Sequence, residues 1–362
     1  MTKVGSIERI TQNRVVQLFK KELNYTYLGD WQERENNSNI EVALLTQSLQ
    51  KRGYNAAQIT KAIETLQRTA NNFSDSLYTT NKNVYAMLRY GVDIKTEISK
   101  NTEKVHFIDW KNFKNNDFAI AEEVTVKGNK TKRPDIVIYV NGIALGVLEL
   151  KRSTITVNDG IRQNITNQQD RFIQPFFSTV QYLFAGNDTE GLRYGAIKTP
   201  EKYYLKWKED ITDNSRNLLD KYLLKICQKE RLLEIIYNFI VFDGGVKKLP
   251  RVHQYFGVKE AQKYVQRREG GIIWHTQGSG KSITMVYLAK WILENNSNAR
   301  VVILTDRTEL DKQKENVFKH SGEKQIYRTK SGTDLMLQLS SPTPRLMCSL
   351  VHKFGKRDGG KF

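Results

Sequence analysis

The chain has 362 residues, enough for two domains that each bury a core, and its mean hydropathy of −0.56 fits a water-soluble globular protein. Lys and Arg number 57 against 39 Asp and Glu, a net charge of +18, which favours polyanionic partners. The opening residues are polar rather than signal-like, apolar stretches such as 232–242 are short and interrupted by Glu and Asn, and Cys227 and Cys348 form neither a disulfide framework nor a metal-type spacing. A membrane span and a disulfide-stapled secreted domain are thereby excluded, and a reducing, cytoplasmic setting is expected.

Residues 6–23 predict an amphipathic helix with Ser6 as its N-cap. Residues 32–39 form a polar loop, and 40–90 are helix-like, with Gly53 as a stop. The pattern then turns to strands over 105–110 and 118–126. DIVIYV (135–140), Asn141-Gly142 and IALGVLELK (143–151) predict a β-hairpin, because Asn-Gly between β-branched runs supplies the positive φ angles of a two-residue turn. Residues 158–170 have helical or loop character, 176–184 and 192–197 predict further strands, and 216–242 predict helix.

Turn residues Asp243-Gly244-Gly245 and Pro250 mark a boundary, giving domains over 1–240 and 241–362. Charge is uneven across it: +11 in the shorter C-terminal part, +7 in the rest. Beyond the boundary come a helix (258–268), a strand (271–276), a glycine-rich turn, a helix (281–294) and a strand (300–305). That order opens a parallel α/β domain.

Two constellations carry chemistry. Thr276-Gln277-Gly278-Ser279-Gly280-Lys281-Ser282 lies between a predicted strand and a predicted helix. Glycines let backbone N–H groups curl around an anion, and the helix N-terminus adds its positive end. Lys281 would reach the β- and γ-phosphates of a nucleotide and Ser282 would hold Mg²⁺. His275 occupies the first glycine position of the strict phosphate-loop pattern, leaving an ordinary glycine-rich turn as the alternative.

The second constellation is Asp135, Glu149 and Lys151. The hairpin brings the start of one strand to the end of its partner, and residues 149 and 151 share a strand face. Two carboxylates can bind Mg²⁺, and the ammonium can orient a water or stabilise charge on a phosphoryl group. This is the inventory for phosphodiester hydrolysis. A surface Glu–Lys pair on an edge strand is the alternative, but charges set within Val147, Leu148 and Leu150 need a reason to be there.

TQNRVVQLF, YTYLGDW, RPDIVIYVNGIALGVLELK, GIRQNITNQ, FIQPFFSTVQYLFAGNDTEGLRYG, HTQGSGKSITM and LTDRTELDKQ together resemble the N-terminal portion of the restriction (R, HsdR) subunit of type I restriction–modification enzymes, over essentially the whole chain. The resemblance implies an α/β architecture: a PD-(D/E)xK nuclease fold (a mixed sheet flanked by helices) over 1–240, then the first part of a RecA-like, P-loop helicase domain over 241–362. It implies an Mg²⁺-dependent endonuclease, ATP-driven translocation on double-stranded DNA, and assembly with modification (M) and specificity (S) subunits. Carried over, Asp135, Glu149 and Lys151 match the nuclease triad, and Gly278, Gly280, Lys281 and Ser282 the ATP motif. Gln254 falls where the family reads adenine, with a plain surface glutamine as the alternative.

Arg307 lies in the motif near the DNA track, in a stretch that also reads as a helix start. Glu8 sits where related nucleases offer an acid from the first helix, a position the helix dipole alone also favours. Gln163 matches the start of a Q-x-x-x-Y motif, although Asn167 replaces the tyrosine. The chain ends before any Asp-Glu-x-His motif, so a truncated motor, inactive on its own, is expected. The competing function is a non-catalytic remnant that binds DNA or a subunit.

Overall fold

In a computed structural model of the chain, residues 3–72, 74–95, 102–209, 215–306 and 326–354 are described, residues 3–8 by their backbone alone. The chain divides into two units, Met1–Tyr237 and Asn238–Phe362. The first contains α1 (Lys3–Lys21), β1 (Thr26–Asp30), α2 (Val42–Lys51), α3 (Ala56–Ala70), α4 (Leu77–Tyr90), β2 (Val92–Ile94), β3 (Glu103–Val105), β4 (Phe118–Glu122), β5 (Ile136–Val140), β6 (Ile143–Leu150), α5 (Val157–Asn167), β7 (Tyr182–Asn187), β8 (Gly191–Gly195), β9 (Leu205–Lys206), α6 (Leu218–Ile226) and α7 (Lys229–Asn238).

Seven of these strands form one mixed α/β sheet in the order β1-β4-β5-β6-β7-β8-β9. The β1–β4 and β6–β7 pairs are parallel, the others antiparallel. β6 is central and buried along its whole length, which is why its sequence is a nearly continuous apolar run rather than an alternating one. Its two faces are covered differently. The face of Val147 and Glu149 packs under α5, where a Cβ on Gly160 would stand 3.2 Å from Ala185 Cβ and 3.5 Å from Glu149 Cβ. On the opposite face, Gly186 lets Leu219 of α6 approach.

The Asn141-Gly142 turn forms as expected, with φ of 53° and 80°. Gly142 is also crowded: a Cβ there would meet Glu41 O, Leu44 Cβ and Leu45 N, each at 2.8 Å. Gly142→Val should therefore destabilise this unit by about 2–4 kcal/mol, combining left-handed strain with overpacking. A urea midpoint within error of wild type would contradict this.

Several expectations need correction. Helix α1 is already under way at Lys3, so Ser6 lies inside it and is not its cap. The segment 40–90 breaks into three helices, with Gly53 (φ 85°) ending the first as expected. The strand expected over 105–110 ends at Val105. The strand expected over 118–126 ends at Glu122, because Glu123 turns into the left-handed region (φ 51°). Residues 174–178 form a short 3₁₀ helix started by Pro175, so β7 begins only at Tyr182. Residues 216–242 form two helices and then turn extended at Val241.

The second unit holds a hairpin of β10 (Val241–Asp243) and β11 (Val246–Lys248), then α8 (Val252–Arg267), α9 (Lys281–Asn295), β12 (Val301–Thr305), β13 (Tyr327–Arg328), α10 (Gly332–Ser340) and β14 (Leu346–Leu350). β12, β14 and β13 make a parallel sheet in that order, as an α/β domain requires. The strand expected at 271–276 is absent. Its residues join no ladder, and Ile272 and Trp274 are each 87% exposed. A β-rich sequence becomes a strand only when a neighbour pairs with its backbone.

Candidate functional site

The two carboxylates meet through a bulge as well as a turn. From Asn141-Gly142 the register runs Val140↔Ile143 and Tyr139↔Ala144, which continued would set Asp135 opposite Leu148. It then shifts: Ile138 pairs with Gly146, and Ile136 with Leu148. Leu145 is the extra residue. The next position therefore sets Asp135 against Glu149, and directly opposed residues share a face. Without the bulge Glu149 would be out of step with Asp135.

Asp135 reaches across the pair, its Oδ2 accepting a hydrogen bond from Leu150 N at 2.6 Å. Glu149 is fully buried. Asn167 Nδ2, from the last turn of α5, donates to Glu149 Oε1 at 3.3 Å, while Glu149 Oε2 has no hydrogen-bond partner. Burial first, and the nearby Asp135 carboxylate second, push the Glu149 pKa well above the usual carboxylate range, with Lys151 opposing them. Lys151 is half-buried; its Nζ donates to Leu150 O at 2.9 Å and its N–H to Gly186 O at 2.9 Å. The three residues singled out in the sequence are thus brought together.

Beside them opens a cavity of about 500 Å³ whose lining includes Asp135, Arg9, Gln12, Glu123, Arg133 and Gln163. Gln163 is therefore at the site. Asn167, one turn further along α5, is where the expected tyrosine is missing, and it holds Glu149. Gln12 Nε2 donates to Glu122 Oε2 at 3.0 Å and to Asp135 O at 3.5 Å. Arg9, Gln12 and Glu123 escaped the sequence reading, although Glu122-Glu123 closing an apolar strand was a visible signal. The side chain of Glu8 lies outside the described residues, as does Arg307.

A half-buried carboxylate on Asp135 and a fully buried one on Glu149, the latter with an orphaned oxygen, next to an ammonium suit a divalent cation. Among the described residues no group of three or more His, Cys, Asp or Glu is placed to hold a metal. An ion here would take the Asp135 and Glu149 oxygens and complete its shell from other donors.

In the second unit the glycine-rich turn caps α9. Gly278 and Gly280 have φ of 76° and 88°, and Gly280 is the N-cap of α9. A Cβ on Gly280 would stand 2.4 Å from Gln254 Nε2. Gln254 is buried at the start of α8, where Nε2 donates to Ser279 O at 3.2 Å and Gly280 O at 3.0 Å while Oε1 accepts from Arg251 N at 2.8 Å. It is no plain surface glutamine: its amide fastens the turn to α8. Lys281 is exposed and arches back over the turn, donating to Thr276 O at 3.1 Å and His275 O at 3.3 Å. Thr276 is exposed, Ser279 buried and Ser282 half-buried.

A family profile described as type I restriction enzyme R protein N terminus matches residues 7–202. The chain belongs to this R-protein family. A second profile, SWI2/SNF2 ATPase, matches residues 253–361 of this R-protein chain. A Methanocaldococcus jannaschii protein carrying the name type I restriction enzyme MjaIXP endonuclease subunit is 30% identical over 315 residues, 75% of this chain and 30% of its own. The type I restriction enzyme HindI endonuclease subunit of Haemophilus influenzae is 31% identical over 261 residues, 64% of this chain and 24% of its own. A Staphylococcus aureus counterpart, the SauCOLORF180P endonuclease subunit, is 25% identical over 255 residues, 69% and 27%. The R-protein chain thus spans less than a third of the length of these relatives. None of its described helices is long and apolar enough to cross a membrane.

Proposed function

We propose that the first unit is the DNA-cutting domain of a type I restriction enzyme, a PD-(D/E)xK nuclease fold with Asp135, Glu149 and Lys151 as its catalytic centre. The observation that carries this is the buried Glu149 with its unpartnered Oε2, set across the strand pair from Asp135 and beside Lys151. Asp135 and Glu149 would hold Mg²⁺. When bound, that ion supplies Lewis acidity toward the phosphodiester and a more acidic water. Lys151 contributes a fixed positive charge toward the phosphoryl oxygens and reverses the local sign that two carboxylates would otherwise present to DNA. Asn167 orients Glu149, and the Leu150 N–H orients Asp135.

The second unit would bind ATP at 276–282 and belong to a RecA-like motor acting on double-stranded DNA. Lys281 would swing from the turn's own carbonyls to the nucleotide phosphates, with Ser282 toward the metal. Gln254 would act through the turn it fastens and contact adenine only after releasing it. The M and S subunits of a type I enzyme would be the protein partners, in the cytoplasm.

Nicking of a plasmid by the enzyme assembled with this chain should require Mg²⁺ and stop with a chelator. Metal-independent nicking, or none under any condition, would remove the nuclease reading. Lys281→Ala should weaken binding of a fluorescent ATP analogue about 10- to 100-fold, the worth of one charge-assisted hydrogen bond. Unchanged affinity would contradict the nucleotide assignment.

A further inference from the structure

We propose that Arg9 and Arg133 form a clamp for a DNA phosphate at the mouth of the nuclease cavity, and that Glu123 occupies this clamp until DNA displaces it. The inference rests on the nuclease reading for its substrate, but its geometry is independent of the metal-binding pair.

The Glu123 carboxylate is shared between two guanidiniums. Oε2 lies 2.7 Å from Arg133 Nε, and Oε1 lies 3.4 Å from Arg9 Nη1. The arginine side chains remain 40% and 46% exposed, whereas that of Glu123 is 13% exposed. The cations therefore face the opening and the acid sits behind them. All three residues line the cavity that holds Asp135, and Lys132, stacked on Phe172, lines it too. A carboxylate held by two guanidiniums has the charge and the paired oxygens with which a phosphodiester would meet them. Arg9 is also anchored by Asp30 at 3.1 Å and Glu122 at 3.6 Å, so its guanidinium stays in place when Glu123 leaves.

The backbone points the same way. Glu123 is a non-glycine residue at φ 51°, a conformation that carries strain. Its N–H is fixed to Asp135 O at 2.9 Å, which ties the acid's position to that of the catalytic aspartate. The left-handed turn ends β4 there and lets the side chain meet Arg9 and Arg133.

The test is fluorescence anisotropy with a short labelled DNA duplex and the whole chain in EDTA, so that neither metal nor cleavage enters. Glu123→Gln should bind about three- to fivefold tighter than wild type, the change that releasing a half-exposed ion pair supports. Glu123→Gly should do the same, and because φ 51° suits glycine it keeps the fold. Arg133→Ala should bind more weakly and flatten the slope of log K against log salt by about 0.9, one phosphate contact. Binding by both Glu123 variants at or below wild-type strength overturns the clamp, as does an unchanged salt slope for Arg133→Ala. Either result leaves the nuclease reading standing. Persistence of cleavage in Asp135→Asn would remove that reading without touching the duplex-binding result.

Discussion

Asp135→Asn and Lys151→Ala should each lower Mg²⁺-dependent DNA cleavage on the order of 10³-fold, the scale of removing one preorganised charge from a site that stabilises a phosphoryl transition state. The two losses have different origins. Asp135→Asn removes half of the proposed cation's carboxylate charge but keeps an oxygen that can accept from Leu150 N–H. Lys151→Ala removes the cation that offsets the Asp135 and Glu149 charges. Lys151→Arg should not rescue it, because a planar guanidinium cannot take the compact position of the ammonium near Leu150 O. In the full-length enzyme carrying these substitutions, ATP turnover should stay within about twofold, since the phosphate-loop residues belong to the other unit. Cleavage near wild type in either variant would remove that residue from the chemistry.

Glu149→Gln should abolish cleavage and at the same time stabilise the metal-free protein. Burial and Asp135 raise the folded-state pKa of Glu149 well above that of an unfolded glutamate. Protonated Glu149 is therefore favoured in the folded chain. Its contribution to stability is fully present below the unfolded value, near 4.3, and is lost as pH rises toward the raised folded value. Glutamine has no proton to lose. The advantage of Glu149→Gln should consequently be small near pH 4 and grow as pH rises toward the raised folded value. In a unit of this size each kcal/mol moves the melting temperature by roughly 2–4 °C. Melting in EDTA across this range checks the sign: a gap between variant and wild type that shrinks with rising pH would contradict it. The stabilisation marks Glu149 as a residue kept for chemistry at a cost to the fold.

The hairpin was legible because its signals are local. Asn141-Gly142 demanded a tight turn, and the apolar runs on either side demanded a buried pair. The Leu145 bulge was not legible, since nothing in IALGVLELK distinguishes an extra residue from a regular one; the spacing of 135 and 149 pointed to the right neighbours without the register that joins them. β1 escaped notice because its partner, β4, lies some ninety residues away and TYLGD has weak alternation of its own. β14 was missed for a similar reason, its partners β12 and β13 both being distant in sequence. The opposite error occurred at GIIWHT, where high β-propensity was read as a strand although no ladder receives it.

Among site residues, those within one motif were recognisable. Those assembled from α1 and the β4 end were not, and on α5 Gln163 was reached through a motif match while the role of Asn167 was not. Arg9, Gln12, Glu123 and Asn167 are ordinary surface residue types until tertiary structure sets them around Asp135 and Glu149. The Asn167 substitution shows the limit most clearly. In sequence it is a departure from an expected tyrosine; in the fold its amide donates to Glu149.

Calorimetric titration of Mn²⁺ into the chain at neutral pH, in two buffers of different ionisation enthalpy, tests the central claim most directly. One saturable ion should bind, release protons as its carboxylate ligands ionise, tighten with rising pH, and be lost in Asp135→Asn and Glu149→Gln. No saturable binding, or binding indifferent to both substitutions and to pH, would contradict a metal site built on these two carboxylates.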